Sequence, residues 1–436
     1  MNNTVAIILY GSLMLVIWGV YATLRTRRSR RNMATLEEAK ATGLSEPASL
    51  HPLINLADCI GCGSCVDACP EKKVLGLIHG KAHLINPASC IGHGACRVAC
   101  PTNSIQLVFG TEKRGVDIPL VSPDFETNVP GIYIAGELGG MGLIRNAVSQ
   151  GVQATEAIGK LDGIGKGDGY DLVIVGAGPA GIAAALSAKQ QGLRYAVLEQ
   201  DSLGGTIAHY PRGKLVMTAP AMLPIVGKMQ FTETTKEQLM EFWQGVTDEQ
   251  QLPIHFQERV EAINPDASTN GFVVKTAQQE YKARAVLLAI GRRGTPRKLG
   301  VPGEEQTKVV YRLIDPEQYR GQHVLVVGGG DSALEAACSI AEEPGTTVTI
   351  SYRSDGFSRS KQKNRERVQQ NEAEGRLKVM LSSNVIKVES DSVELEQGGE
   401  HSTIANDAVI VCAGGILPTP FLKAVGITVE TKFGTA

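Results

Sequence analysis

The sequence predicts an α/β chain in which two doubly wound units follow a small cysteine-rich α+β unit and one apolar N-terminal helix. Three observations predict it. An apolar run opening into a glycine-rich turn and a helix occurs twice; seven of the nine cysteines fall between Cys59 and Cys100; and residues 5–24 carry no charge. At 436 residues the chain has room for about three domains. Its 49 glycines exceed the usual share of roughly 7% and suit sheets with many tight strand-to-helix turns. With 43% hydrophobic and 20% charged residues, wholesale disorder is excluded. A net charge of −2 gives no global basic surface, so nucleic acid is not an expected partner.

Val5 to Leu24 is twenty residues long, enough to cross a bilayer core of ~30 Å, with Tyr10, Trp18 and Tyr21 suited to its interfaces. Arg25, Arg27, Arg28, Arg30 and Arg31 follow directly, and no Lys or Arg precedes it. A cleavable signal peptide carries its charge in front of the apolar stretch, so this order predicts a single-pass transmembrane helix instead. The positive-inside rule then places the N-terminus outside and all later domains in the cytoplasm. A buried core helix is the alternative. Residues 32–50 are polar and unpatterned and are expected to be a linker after the 1–31 anchor.

Cys59-x2-Cys62-x2-Cys65-x3-Cys69-Pro70 has the spacing of a four-iron, four-sulfur run, and Cys90-x2-His93-x2-Cys96-x3-Cys100-Pro101 repeats it with one change. The fourth cysteine of each such run ligates the other cluster. One cluster is therefore expected on Cys59, Cys62, Cys65 and Cys100, and a second on Cys90, Cys96 and Cys69, with His93 at the remaining position. Neutral imidazole in place of thiolate would raise the second cluster's potential. The alternatives are a three-iron cluster with His93 idle, no second cluster, or a zinc site. Residues 51–109 resemble a bacterial two-cluster ferredoxin along their whole length.

Asp171 to Val175 opens into Gly176-Ala-Gly178-Pro179-Ala180-Gly181 and a helix, and the next strand, Tyr195 to Leu198, ends at Glu199. In a Rossmann-like unit the glycines let the backbone approach a pyrophosphate, and the acid takes the ribose hydroxyls. The pattern recurs as Val324 to Val327, then Gly328-Gly-Gly330-Asp331-Ser332-Ala333, a helix and the strand Thr347 to Ser351. No acid ends this second strand. Arg353, Arg359, Lys361, Lys363 and Arg365 follow, which favours the 2′-phosphate of NADPH over NADH; a solvated basic helix face is the alternative.

Both units, with Gly204-Gly205-Thr206 and Leu288-Ala-Ile-Gly291 between them, resemble the thioredoxin reductase-like flavoproteins from about 168 to 436. The resemblance implies FAD on the first unit and NADPH on the second. It also marks departures. Those reductases carry a Cys-x-x-Cys before the second glycine motif, yet Val309 to Gly321 holds no cysteine. The similar bacillithiol disulfide reductases place a cysteine where Ala180 stands here. The family's closing motif is absent from the C-terminus and appears upstream, as Val129-Pro-Gly-Ile-Tyr-Ile-Ala-Gly136-Glu137 followed by Arg145-Asn146-Ala147. By resemblance, Glu137 contacts the ribityl-pyrophosphate region and the helix from Arg145 points its N-terminus at the flavin. The expected organisation is thus circularly permuted: a flavin domain over 110–300, completed by 406–436 and interrupted by a nucleotide domain over 301–405. The permutation joins the ferredoxin-like block directly to a flavin-domain segment, which leads us to expect the two to dock.

The fold class expected is α/β, with two Rossmann-like domains of thioredoxin reductase type, a small α+β ferredoxin-like domain and one transmembrane helix. The function expected is a membrane-anchored, NAD(P)H-dependent flavin and iron–sulfur oxidoreductase. No side chain is nominated as a catalytic acid or base, because hydride transfer needs none. Its partner would be a ferredoxin, cytochrome, quinone or thiol protein acting as donor or acceptor, and a homodimer is compatible with it. A disulfide reductase fed through the clusters and a slowly turning redox sensor are the competing readings.

Overall fold

The computed structural model describes residues 3–41, 47, 50–71, 73–90, 92, 94–112, 115–140, 142–218, 220–266, 270–292, 294–358 and 360–434, with residues 3–9 in backbone only. These fall into two compact units, residues 1–116 with 432–436 and residues 117–431.

The first unit begins with one continuous helix, α1 (Asn3–Ala41). Among the described residues no helix is long and apolar enough to cross a membrane, so the expected spanning segment is not supported. The described apolar side chains run from Tyr10 to Leu24, interrupted by Gly11, Ser12, Gly19 and Thr23, before Arg25 opens the charged part. The expected linker is also corrected in part. Residues 32–41 continue the helix, where Ala39 is buried, Asn32 Nδ2 donates to Leu77 O (2.9 Å) and Ser29 Oγ accepts from His79 N (3.1 Å). These are polar pins from a helix without an apolar stripe, which is why hydrophobic periodicity did not reveal them.

Two antiparallel ribbons, His51–Ile54 with Ile105–Val108 and Leu75–Ile78 with Lys81–Leu84, frame the cysteine domain. Between them sit two one-turn helices, α2 (Ser64–Asp67) and α3 (Ala95–Val98). Cys59, Cys65, Cys90 and Cys96 form its core with Val74, Leu75, Ala82 and Ile105.

The second unit holds two lobes. The flavin-type lobe is built on a seven-stranded sheet in the order Ile254–Phe256, Tyr195–Glu199, Tyr170–Val175, Glu280–Leu288, Gly271–Thr276, Val260–Asp266. The first four of these strands are mutually parallel and the last two complete an antiparallel edge. The seventh strand, Ile132–Ile134, comes from upstream. It pairs in parallel with Val286–Leu288, on the edge that the antiparallel ribbon leaves free beyond Ala283. Behind it runs α4 (Ile144–Ile158), packed on α5 (Pro179–Gln190). One face of the sheet is buried by these helices and α6 (Lys236–Glu249).

The nucleotide-type lobe has a parallel five-stranded sheet, Val309–Val310, Ala408–Val411, His323–Val327, Thr347–Tyr352, Leu377–Leu381, with α7 (Asp331–Ala341) and α8 (Gln362–Ala373). The chain then returns through α9 (Thr419–Ala424), whose Leu422 and the following Ile427 are buried with Ile132 and Ile134. Asn128 closes this seam, donating to Gly426 O (2.9 Å) and accepting from Thr428 N (2.7 Å).

Asp171, at the foot of the central strand, is buried and accepts from Gly165 N (2.7 Å), Arg194 N (2.9 Å) and Arg194 Nη2 (3.0 Å). Burial pushes its carboxyl up, but the Arg194 and Gly165 hydrogen bonds outweigh it and hold the group below its ordinary value. A depressed carboxyl stabilises the fold above its unfolded value and loses that contribution as pH falls through the folded one. Asp171→Ala is expected to cost roughly 2–4 kcal/mol at neutral pH and to flatten the loss of stability below about pH 4. Denaturant unfolding across that range checks both.

Candidate functional site

In the cysteine domain, α2 and α3 occupy equivalent places. Each follows a left-handed glycine, Gly63 (φ 85°) or Gly94 (φ 77°), and each carries one buried cysteine, Cys65 or Cys96. Cys59, Cys62, Cys65 and Cys100 line a single small void with Ala82, Thr102, Ser104 and Ile105, so the last cysteine of the second run joins the first three of the first. Cys69 lies close enough to Cys90 and Cys96 to disfavour their ionisation, which groups those three together. His93 lies outside the described residues.

Among the described residues no three His, Cys, Asp or Glu side chains converge on a single-ion position. Thiols that surround a void present ligands to a polynuclear centre rather than to one atom. Burial, then repulsion from Cys59 and Cys62, pushes the Cys65 thiol up to about 11, and burial with Cys90 does the same to Cys96. Burial also opposes ionisation of Cys100, yet hydrogen bonds with Ser104 (3.2 Å) and Thr102 (3.6 Å) bring it down to about 7. Crowded thiols that resist ionising together fit a positively charged occupant such as iron, which binds them as thiolates.

In the second unit a cleft of 740 Å³ gathers residues from six parts of the chain. Gly136, Glu137 and Ala147 come from the upstream segment, and Gly176, Gly178, Pro179 and Ala180 from the first glycine turn. Glu199, then Gly205 and Thr206, line it further along. Leu143 and Ile144 place the N-terminus of α4 there too, beside that of α5. Helix N-termini favour negative charge, as a pyrophosphate requires. A Cβ on Gly181 would lie 1.8 Å from Gly176 O, so this glycine permits the tight turn rather than lining the cleft. By contrast, Gly178 meets nothing nearer than Gly205 Cα at 3.9 Å, which leaves open backbone above the turn for a ligand. Glu199 is buried, accepts from Ala177 N (2.7 Å) and Asp201 N (2.9 Å), and burial pushes its carboxyl up. These features fit a flavin dinucleotide.

Gly204 donates to Ala177 O (2.9 Å) and supports the turn from outside the cleft lining. Arg145 and Asn146 stand in the first turn of α4 and are likewise not lining residues. Sequence reasoning missed Asp201, His209, Tyr210, Glu258, Arg259 and the 416–424 segment, all of which reach the cleft. These carry no motif of their own. The Ile254–Phe256 pairing and the return of the chain through α9 bring them in.

In the nucleotide lobe, Gly328 (φ 141°) ends the first strand and Gly330 caps α7. Asp331 differs from expectation. Its Oδ1 accepts from Lys361 N (2.7 Å) and Asn364 Nδ2 (2.7 Å), so it anchors the start of α8. Ala333 is fully buried, while Ser332 is exposed. Arg353 is exposed just after the Thr347–Tyr352 strand; Arg359 lies outside the described residues. The Tyr352 ring stacks on Phe357 (5.7 Å, 18°) and lies where a Cβ on Gly329 would be. Ion pairs tie this lobe to the flavin-type lobe beside the cleft: Arg212–Asp315 (3.1 Å), Lys214–Glu335 (2.5 Å), and Arg312 with the lining residues Asp201 (3.4 Å) and His209.

Residues 173–434 match the family described as pyridine nucleotide-disulphide oxidoreductase, and residues 51–101 match the 4Fe-4S dicluster domain. The chain is 29% identical over 272 residues to a ferredoxin–NADP reductase of Ignicoccus hospitalis, covering 60% of this chain and 83% of that one. It is 27% identical over 270 residues to bacilliredoxin reductase Bdr of Bacillus subtilis, covering 60% and 82%. Among solved structures, the bacillithiol disulfide reductase Bdr (YpdA) of Staphylococcus aureus aligns with a TM-score of 0.52 at 25% identity, over 60% of this chain and 81% of that one. The chain therefore belongs to the pyridine nucleotide-disulphide oxidoreductase family, as an NAD(P)H-dependent flavin oxidoreductase that also carries a 4Fe-4S dicluster domain.

Proposed function

We propose that this protein exchanges electrons between NADPH, an FAD in the 740 Å³ cleft and two iron–sulfur clusters, which pass them to or from a separate redox partner. A flavin supplies the conversion between two-electron nicotinamide chemistry and one-electron iron–sulfur chemistry. The observation that carries the reading is the lining of the cleft, which collects the flavin motifs and contains no cysteine. The two cysteines outside the cluster domain are in the nucleotide lobe, Cys338 buried on α7 and Cys412 after the Ala408–Val411 strand. A disulfide reductase has no thiol pair here to carry its chemistry.

The chain's own residues bind and position. The helix N-termini of α4 and α5 would favour the phosphates of a bound flavin dinucleotide, Glu199 would take its ribose hydroxyls, and Arg353 would offer a guanidinium to the 2′-phosphate of NADPH. Cys59, Cys62, Cys65 and Cys100 would hold the first cluster. We assign the second to Cys69, Cys90, Cys96 and His93, on the position His93 holds in the repeated run. The chain is a circular permutation of the flavin domain, a reading supported by the pairing of Ile132–Ile134 with Val286–Leu288 and by the Asn128 seam to Gly426 and Thr428. The exposed apolar side chains from Tyr10 to Leu24, followed by five arginines, support attachment to a membrane with the redox domains on its cytoplasmic side.

Two measurements test this. Anaerobic NADPH is expected to bleach the flavin and bring up reduced-cluster EPR signals, with Arg353→Ala lowering the preference for NADPH over NADH about tenfold. No bleaching with either nucleotide overturns the assignment. Cys100→Ser is expected to remove roughly half of the cluster iron while leaving the signal of the other set. Unchanged iron content overturns the crossed ligation.

A further inference from the structure

The two cysteine sets differ in what stands against their sulfurs. Cys100 Sγ lies 3.2 Å from the Ser104 hydroxyl and 3.6 Å from that of Thr102, and both residues line the void shared by Cys59, Cys62, Cys65 and Cys100. Ser104 is 5% exposed, and its carbonyl accepts from Asn55 N (2.8 Å), which continues the pairing of His51–Ile54 with Ile105–Val108 and holds Ser104 in place. Thr102 is exposed. A third hydroxyl, that of Ser64 in the first turn of α2, hydrogen-bonds to Cys62. In the other set, Cys69 Sγ faces Glu71 O (3.2 Å) and Cys90 Sγ faces Leu50 O (3.9 Å), carbonyls that cannot donate. The repeat sharpens the contrast. Counted from the cysteine runs, the places of Ser64, Thr102 and Ser104 are taken in the other run by Ala95, Glu71 and Lys73, none with a hydroxyl.

A cysteine bound to iron is a thiolate with no proton to give, so at a cluster the hydroxyls must be the donors. One-electron reduction adds negative charge that the sulfurs share. A donor aimed at such a sulfur is held more tightly in the reduced state than in the oxidised one, and the potential rises. The hydroxyl proton stays on oxygen throughout, so only the electron moves. The effect is larger where water cannot take the donor's place, which singles out Ser104 over Thr102. We propose that Ser104, assisted by Thr102, raises the reduction potential of the first cluster by donating to Cys100. Both are positioning residues: they act on the electron through the ligand sulfur, and they do so whatever completes the second set. The inference rests on the reading that Cys59, Cys62, Cys65 and Cys100 hold an iron–sulfur cluster.

The test is a potentiometric titration of the full-length, cluster-loaded protein, followed by EPR, in the wild type and in Ser104→Ala. The signal that belongs to the first cluster is the one lost or altered in Cys100→Ser. In Ser104→Ala its reduction equilibrium is expected to weaken about tenfold, a midpoint lower by about 59 mV for one electron, while the other signal keeps its midpoint. Thr102→Val is expected to weaken the same equilibrium about threefold, and Thr102→Ser to keep the wild-type value. An unchanged first-cluster midpoint in an iron-replete Ser104→Ala overturns the proposal, as does an equal shift of both signals. Should Ser104→Ala lose its iron, the exposed Thr102 decides: a fall in Thr102→Val supports the proposal, and a midpoint that does not move overturns it. A Cys100→Ser protein with its iron and both signals unchanged overturns the cluster assignment instead.

Discussion

The close approach of backbone to backbone beneath the flavin-type cleft is the constraint on which the rest of this lobe depends. A Cβ on Gly181 would sit 1.8 Å from Gly176 O, and one on Gly151 would sit 2.2 Å from Ala180 O. The first contact folds the strand tightly into α5. The second lets α4 lie directly on the start of α5. Together they bring two helix N-termini to one cleft, where their partial positive charges add on an anionic ligand. Since α4 belongs to the segment upstream of the first glycine turn and α5 to the segment after it, the same contact fastens Ile132–Ile134 into the sheet.

The cysteine domain depends on a different balance. Its core is made of the very thiols that would carry charge, so without an occupant the buried members raise one another's cost of ionisation. Folding and metal binding are coupled in such a site: a cation relieves the repulsion, and the thiolates then define its geometry. The hydroxyls of Thr102 and Ser104 on Cys100 soften this at one corner, where the thiol is already close to ionising at neutral pH.

What could be read from the sequence was whatever is encoded over a few residues. The glycine turns, Glu199 at its strand end and the cysteine spacings are local patterns, and the structure brings residues of the first turn and Glu199 to one cleft and four of the cysteines to one void. Asp331 shows the limit of that logic. It stands in the motif, but its carboxylate is claimed by Lys361 N and Asn364, thirty residues further on. Glu258 and the 416–424 segment reach the cleft through strand order and the return of the chain, neither of which leaves a local mark. The continuation of α1 to Ala41 was hidden for a related reason. It is fastened by Ser29 and Asn32 to the backbone of Leu77 and His79, contacts that hydrophobic periodicity does not record.

The two lobes of the second unit are joined in a way that matters for hydride transfer, which requires two rings to meet. Each lobe has its own buried core, and the chain crosses between them twice, at Thr295–Pro296 and Gly415–Ile416, which pair as a two-stranded ribbon. The further ties are polar: Arg212 to Asp315, Lys214 to Glu335, Arg312 to Asp201, and Arg212 N to Ile314 O (2.9 Å). Partly exposed ion pairs hold weakly and are screened by salt. Breaking them uncovers neither core. Moving apart therefore costs this unit far less than unfolding either lobe, and the segment they grip, residues 209–214, begins at His209 and Tyr210, which line the cleft. A change in the orientation of the nucleotide lobe would therefore be felt first at His209 and Tyr210, at the edge of the cleft.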